Sequence, residues 1–166
     1  MTEPPKMLDV QAHDRSLGWM IREAATVELY LETIVKILCG SQYGALLISG
    51  APTTRLIDAC RALVDARPEV PEEDRKALKQ VLVEAKAAFE LRNNYVHGPI
   101  AWEANGIPGN TRSRHLKASR DFHPFDVNDL QELAAQFNRL TFRCTDFLMR
   151  AQTGFPDVQP DADDEA

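Results

Sequence analysis

The sequence predicts an all-α protein: an up-and-down bundle of four main helices, with a small β-hairpin inserted before the last one. Three observations carry that expectation. Long stretches repeat apolar residues at gaps of three, four and seven, the spacing of one helix face. Start and stop residues bracket those stretches. A single region, after Gly98, changes to alternation followed by turn residues.

Residues 1–15 have mixed charge and read as a flexible leader. Ser16 can cap a helix running to about Leu38, with Leu17, Met20, Ile21, Ala24, Leu31, Ile34, Val35 and Leu38 as its stripe and Gly40 as its stop. Trp19 and Tyr30 widen that face. Gln42–Ser49 is short and apolar towards its end; a short helix is expected, since a strand there would have no partner. Leu46–Thr54 superficially suggests a nucleotide-binding loop but lacks the Gly-Lys pair that would hold phosphates. Thr53 or Thr54 is read as the cap of a helix to about Arg67, burying Leu56, Ile57, Cys60, Leu63 and Val64.

Pro71 to Val96 is the strongest helix, with Ala77, Leu78, Val81, Leu82, Ala85, Ala88, Phe89 and Tyr95 on one face. Glu72, Glu73 and Asp74 suit the positive end of its dipole, and Gly98-Pro99 ends it. Ile100, Trp102 and Ala104 then alternate with polar or small residues. Asn105-Gly106 and Pro108-Gly109-Asn110 form a turn, and Arg112 to Arg120 is the second, basic strand of the expected hairpin. Asp126 caps the last helix, whose seam is Leu130, Leu133, Phe137, Leu140, Cys144, Phe147 and Ala151. That seam can serve the core or a symmetry mate. The expected division is a single helical domain over 16–155 and a disordered acidic tail over 156–166.

A chain of 166 residues with 44% hydrophobic content can bury a real core as one domain. No apolar run has the roughly 18 residues of a membrane span, and the first residues show no secretory signal. Cys39, Cys60 and Cys144 fall in apolar helical patterns and read as reduced core thiols, so a cytoplasmic location is expected. The net charge of −6 argues against nucleic acid only at first sight. Asp157, Asp161, Asp163, Asp164 and Glu165 account for five of those charges, leaving −1 for the rest. Within that rest, Arg112, Arg114, Lys117 and Arg120 concentrate positive charge and are candidate RNA-binding residues.

The chemistry concentrates in Glu90-Leu91-Arg92-Asn93-Asn94-Tyr95-Val96-His97-Gly98, the close of the central helix. Asn93 and His97 are four apart and share a face. Arg92 and His97 are five apart, about 140° around the axis, an angle one long side chain can span. Together they offer a permanent cation, amide donors and acceptors, and a proton shuttle near neutral pH. Such a set suits a phosphodiester. Taken singly, His97 caps carbonyls, Arg92 pairs with an acid, Asn93 frays a helix end and Tyr95 is core. The conjunction marks the catalytic candidates: Arg92, Asn93 and His97. His13, His115 and His123 have no ligand spacing with each other or with a cysteine, so neither a metal nor a cofactor is expected.

Arg92-Asn93-Asn94-Tyr95-Val96-His97, with a polar residue directly after the Arg and a His after four intervening residues, resembles the motif of the HEPN superfamily, the higher eukaryote and prokaryote nucleotide-binding domains. The likeness covers about residues 16 to 152, but its specific part is six residues long. It implies a metal-independent endoribonuclease that cleaves RNA through the 2′-OH, of the toxin–antitoxin or phage-defence kind. It also implies a homodimer, with an antitoxin or a nucleotidyltransferase as partner. The alternative it leaves open is a non-catalytic RNA- or nucleotide-binding module, or an interaction subunit of a HEPN–nucleotidyltransferase pair.

Overall fold

The computed structural model describes residues 10–41, 43–97, 100–102, 108–113, 120–124 and 127–154. In chain order these form α1 (Val10–Cys39), α2 (Gly44–Ile48), α3 (Thr53–Asp65), α4 (Glu72–His97), β1 (Ile100–Trp102), β2 (Pro108–Ser113), β3 (Arg120–Pro124) and α5 (Val127–Gln152). The protein is helical, with α1, α3, α4 and α5 as the four main helices among the described residues. None of the described helices is long and apolar enough to cross a membrane.

The chain divides into two compact units, Met1–Thr26 with Lys86–Arg139, and Val27–Ala85 with Leu140–Ala166. In the second unit, Val27, Leu31, Ile34, Val35 and Leu38 of α1 are buried. So are Leu56, Ile57, Cys60 and Val64 of α3, Leu78, Val81, Leu82 and Ala85 of α4, and Leu140, Cys144, Phe147 and Leu148 of α5. Each large apolar side chain removed from water contributes about 1.5–3 kcal/mol before ordering costs. Backbone and side-chain polar groups lock the loops. Arg67 donates from Nε to the Leu38 carbonyl at 2.7 Å, and Arg75 donates from Nη2 to the carbonyls of Arg67 and Val70. Asp74, buried in the first turn of α4, accepts from Arg150 of α5 at 2.9 Å.

In the first unit, Met20 and Ala24 of α1, Ala88 and Phe89 of α4, and Leu130, Leu133, Ala134 and Phe137 of α5 are buried. The Phe89 and Phe137 rings tilt against each other with centroids 4.9 Å apart, a favoured aromatic geometry. Two polar ties join α1 to α5: Gln131 donates to the Ser16 hydroxyl and Asn138 to the Glu23 carboxylate, each at 3.3 Å.

Several expectations need correction. α1 starts at Val10, so residues 10–15 belong to the helix and Ser16, buried within it, caps nothing; residues 1–9 lie outside the described residues. Pro52 occupies the N-cap of α3 with no side-chain cap, and the Thr53 hydroxyl instead donates to Glu28 on α1. Leu63 is half-buried rather than core, and Ala77 is exposed. The expected two-stranded hairpin is not supported. The described residues of that region pair as three antiparallel strands in the order β1-β2-β3. The residues Pro108-Gly109-Asn110, expected in the turn, open β2, and Pro108 pairs opposite Trp102. A proline is tolerated as the first residue of a strand. Asp126 and residues 155–166, with the acidic tail, lie outside the described residues.

Gly40 has φ of +64°, and a Cβ there would stand 2.7 Å from an Arg67 guanidinium nitrogen. Gly40→Ala is therefore expected to lower stability by about 1–2 kcal/mol, the left-handed backbone cost, and by more if Arg67 must leave the Leu38 carbonyl. Urea unfolding of the variant against the native chain measures it. Burial pushes the thiols of Cys60 and Cys144 up to about 12. Both should resist alkylation in the folded protein at pH 8 while half-buried Cys39 reacts first, which mass spectrometry of iodoacetamide-treated protein reads directly.

Candidate functional site

The candidate motif occupies the last turn and a half of α4, within the first unit. The buried residues Leu78, Leu82, Ala85 and Phe89 are spaced four, three and four apart along α4. Continued at the same spacing, that stripe falls on Arg92 and Val96. A guanidinium therefore stands where the pattern requires an apolar side chain. Arg92 is half-buried, and its Nε is buried without a hydrogen-bond partner among the described residues. Its Nη1 donates to the Asn93 side-chain carbonyl at 3.0 Å. The cation is thus drawn around the helix towards the face that Asn93 shares with His97. Asn93 is half-buried and His97 is exposed. Arg92 and Asn93 are thus joined by a hydrogen bond, and His97 follows one helical turn after Asn93 on the same helix.

The expected RNA-binding residues are less fully placed. Arg112 lies on β2 opposite Asp121 in register, and Arg120 on β3 opposite Ser113, so the two fall in adjacent cross-strand pairs. Arg114 and Lys117 lie outside the described residues. Tyr95, expected in the core, is half-buried and lines a groove of about 460 Å³. Leu91 and Tyr95 of α4 form one wall of that groove, and Asp129, Glu132, Gln136 and Arg139 of α5 stand across it. Sequence reading missed the α5 side. The available signal was the polar stripe at 132, 136 and 139, spaced four and three, beside the apolar seam. A second groove, of about 300 Å³, lies in the other unit. It is rimmed by Arg143 and Arg150, whose charges are met by Glu84 and Asp74. Neither groove is lined by Arg92, Asn93 or His97.

The first unit also holds a buried carboxylate. Burial pushes the Glu23 carboxyl up, but hydrogen bonds from Asn138, Arg22 and Trp19, with the Arg22 charge, outweigh it and hold it below the ordinary glutamate value. Glu23 therefore serves as an ionised tie between α1 and α5. Among the described residues no three His, Cys, Asp or Glu side chains gather as metal ligands would. Comparison with protein-family models, with curated proteins and with solved structures finds no match for this chain.

A depressed folded-state pKa means that Glu23 stabilises the fold fully above the unfolded value near 4.5, and that this stabilisation is lost as pH falls through the lower folded value. Glu23→Gln should accordingly cost stability at pH 6, with the difference from native protein shrinking towards pH 3; thermal melts across that range give it. Arg92 makes the opposite prediction. A buried, unpartnered donor costs about 1–3 kcal/mol, so Arg92→Met should leave stability unchanged or raise it by about 1 kcal/mol. A loss greater than that in urea unfolding would mark the guanidinium as a structural group.

Proposed function

We propose that this protein is a metal-independent endoribonuclease of the HEPN kind, acting on RNA as a homodimer in the cytoplasm with its long helices in an up-and-down bundle. The observation that carries the proposal is the position of Arg92. A guanidinium with a buried Nε and no carboxylate partner among the described residues sits one and a half turns before an exposed histidine, with an amide between them. A folded protein tolerates such a destabilising group where function needs it.

RNA supplies its own nucleophile. The 2′-oxygen attacks the adjacent phosphorus, the bond from phosphorus to the 5′-oxygen breaks, and the products are a 2′,3′-cyclic phosphate and a free 5′-hydroxyl. His97 moves the proton, as base to the 2′-OH or as acid to the departing 5′-oxygen. Arg92 holds the non-bridging oxygens and the charge that grows on the phosphorane. Asn93, already bonded to Arg92, fixes the direction of the guanidinium. Arg112, Arg114, Lys117 and Arg120 follow the phosphate backbone beyond the scissile bond. An antitoxin or a nucleotidyltransferase is the partner this kind of protein takes.

One observation favours a second reading. The His97 imidazole has no hydrogen-bond partner among the described residues, so nothing there sets its tautomer. A chain that binds RNA or a nucleotide through the same Arg and His, without cleaving, or that serves as an interaction subunit of a nucleotidyltransferase pair, fits that fact.

Cleavage of a mixed RNA panel in EDTA separates the readings. Activity should persist without metal, leave a 2′,3′-cyclic phosphate, and spare a strand carrying deoxyribose at the scissile position. His97→Ala should lower the rate by roughly 10²–10⁴-fold. Arg92→Ala should remove about 3–4 kcal/mol of transition-state stabilisation, and Arg92→Lys should restore little of it. Native protein that binds the panel and cleaves none of it overturns the enzyme.

A further inference from the structure

We infer that the groove between α4 and α5 in the first unit is a guanine-reading subsite, which takes the base beside the scissile phosphate. This inference rests on the ribonuclease reading for its place in catalysis, but its recognition chemistry stands on the groove alone.

The volume of about 460 Å³ falls within the roughly 300–1,000 Å³ of small-ligand sites. Leu133, 4% exposed, supplies apolar surface at its edge. Tyr95 offers a half-buried ring on which a base can stack. It lies three residues after Arg92 on the same helix, so a base on Tyr95 and a phosphate at Arg92 are within about one helical turn of each other.

The polar groups decide which base. Glu132, Gln136 and Arg139 repeat at four and three along α5 and line one side of the groove. None of the three side chains has a hydrogen bond or ion pair among the described residues. This contrasts with the second groove, where Arg143 and Arg150 are already met by acids. Glu132 brings to the groove a carboxylate without a side-chain partner among the described residues, which suits the donors of a base edge better than a phosphate. A carboxylate is an acceptor with two oxygens. It matches a base edge that presents two adjacent donors, and guanine does so through N1–H and the N2 amino group. Adenine and cytosine place only an amino group beside an acceptor, and uracil places one N–H between two carbonyls. Glu132 therefore takes the guanine Watson–Crick edge. The Gln136 amide, with both a donor and an acceptor, satisfies what remains of the base, with the Arg139 guanidinium beside it as a further donor to the acceptors of the base.

The test is calorimetric titration of the full chain with the 3′-monophosphates of guanosine, adenosine, cytidine and uridine, beside cleavage of oligoribonucleotides containing one guanosine. Guanylate should bind at least about tenfold tighter than the other three, the discrimination of a good bidentate base contact. Glu132→Gln, at an exposed helical position, should keep its melting temperature and erase that preference. Tyr95→Leu should weaken all four ligands together. Equal binding of the four nucleotides, or binding of arginine amide in place of guanylate, overturns the subsite. Guanylate preference in a protein that cleaves no RNA overturns the nuclease and leaves the subsite standing. Cleavage without base preference, in a protein indifferent to guanylate, does the reverse.

Discussion

The structure depends on a single burial constraint, the inward stripe of α4. This helix lends its first half to one compact unit and its second half to the other. Leu78, Leu82 and Ala85 serve the first of these and Phe89 the second, and the same period then reaches Arg92 and Val96. A helix of 26 residues gains little from propensity alone; an apolar face against neighbours holds it. Arg92 is thus fixed in direction by the residues that precede it. Phe89, wedged against Phe137, sets the rotation of the helix one turn before the guanidinium. The site inherits its geometry from the core instead of from a loop.

Much of the fold was legible because period and punctuation agreed. α4 lies within a residue of the boundaries read from Pro71, the acidic first turn and Gly98-Pro99. Where the reading failed, a local signal was overruled by packing. Ser16 is a good cap residue in isolation, yet it sits three after His13 and four before Met20, on a buried face that extends the helix back to Val10. Thr53 found a better acceptor in Glu28 than in its own helix. The region after α4 was misread because Pro and Gly suggest turns wherever they occur, while Pro108 at the head of a strand forfeits no ladder bond that the strand needs.

The candidate site was legible as a conjunction of residue types but not as a distribution of burial. Reading Arg92, Asn93 and His97 as helix-end polar residues left all three outside the apolar stripe. The stripe counted through position 92 places the arginine on the line of buried residues, where the structure has it half-buried with its Nε enclosed. Tyr95 failed in the opposite direction. Aromatic residues at helical spacing are usually core, but Tyr95 lies six after Phe89, outside the sequence of threes and fours that defines the buried line. The groove it lines could not be read from one helix, because its polar side belongs to α5, more than thirty residues later.

The charges of the first unit imply a division of labour. A protein that holds RNA mainly by phosphate contacts needs many cations, and its affinity is then insensitive to sequence. Here Arg92, half-buried with its Nε enclosed, is drawn to one position by Asn93. The groove one turn away carries more negative than positive charge. A carboxylate in such a groove disfavours a phosphate there, and a base with paired donors is what it can reward. On the proposed ribonuclease reading, register on the strand is set by the base, and the scissile phosphate comes to Arg92 by connectivity. On that reading, weak general attraction and one strong point of recognition are consistent with each other: the fewer phosphates a nuclease grips, the more its choice of cleavage site rests on the base it reads.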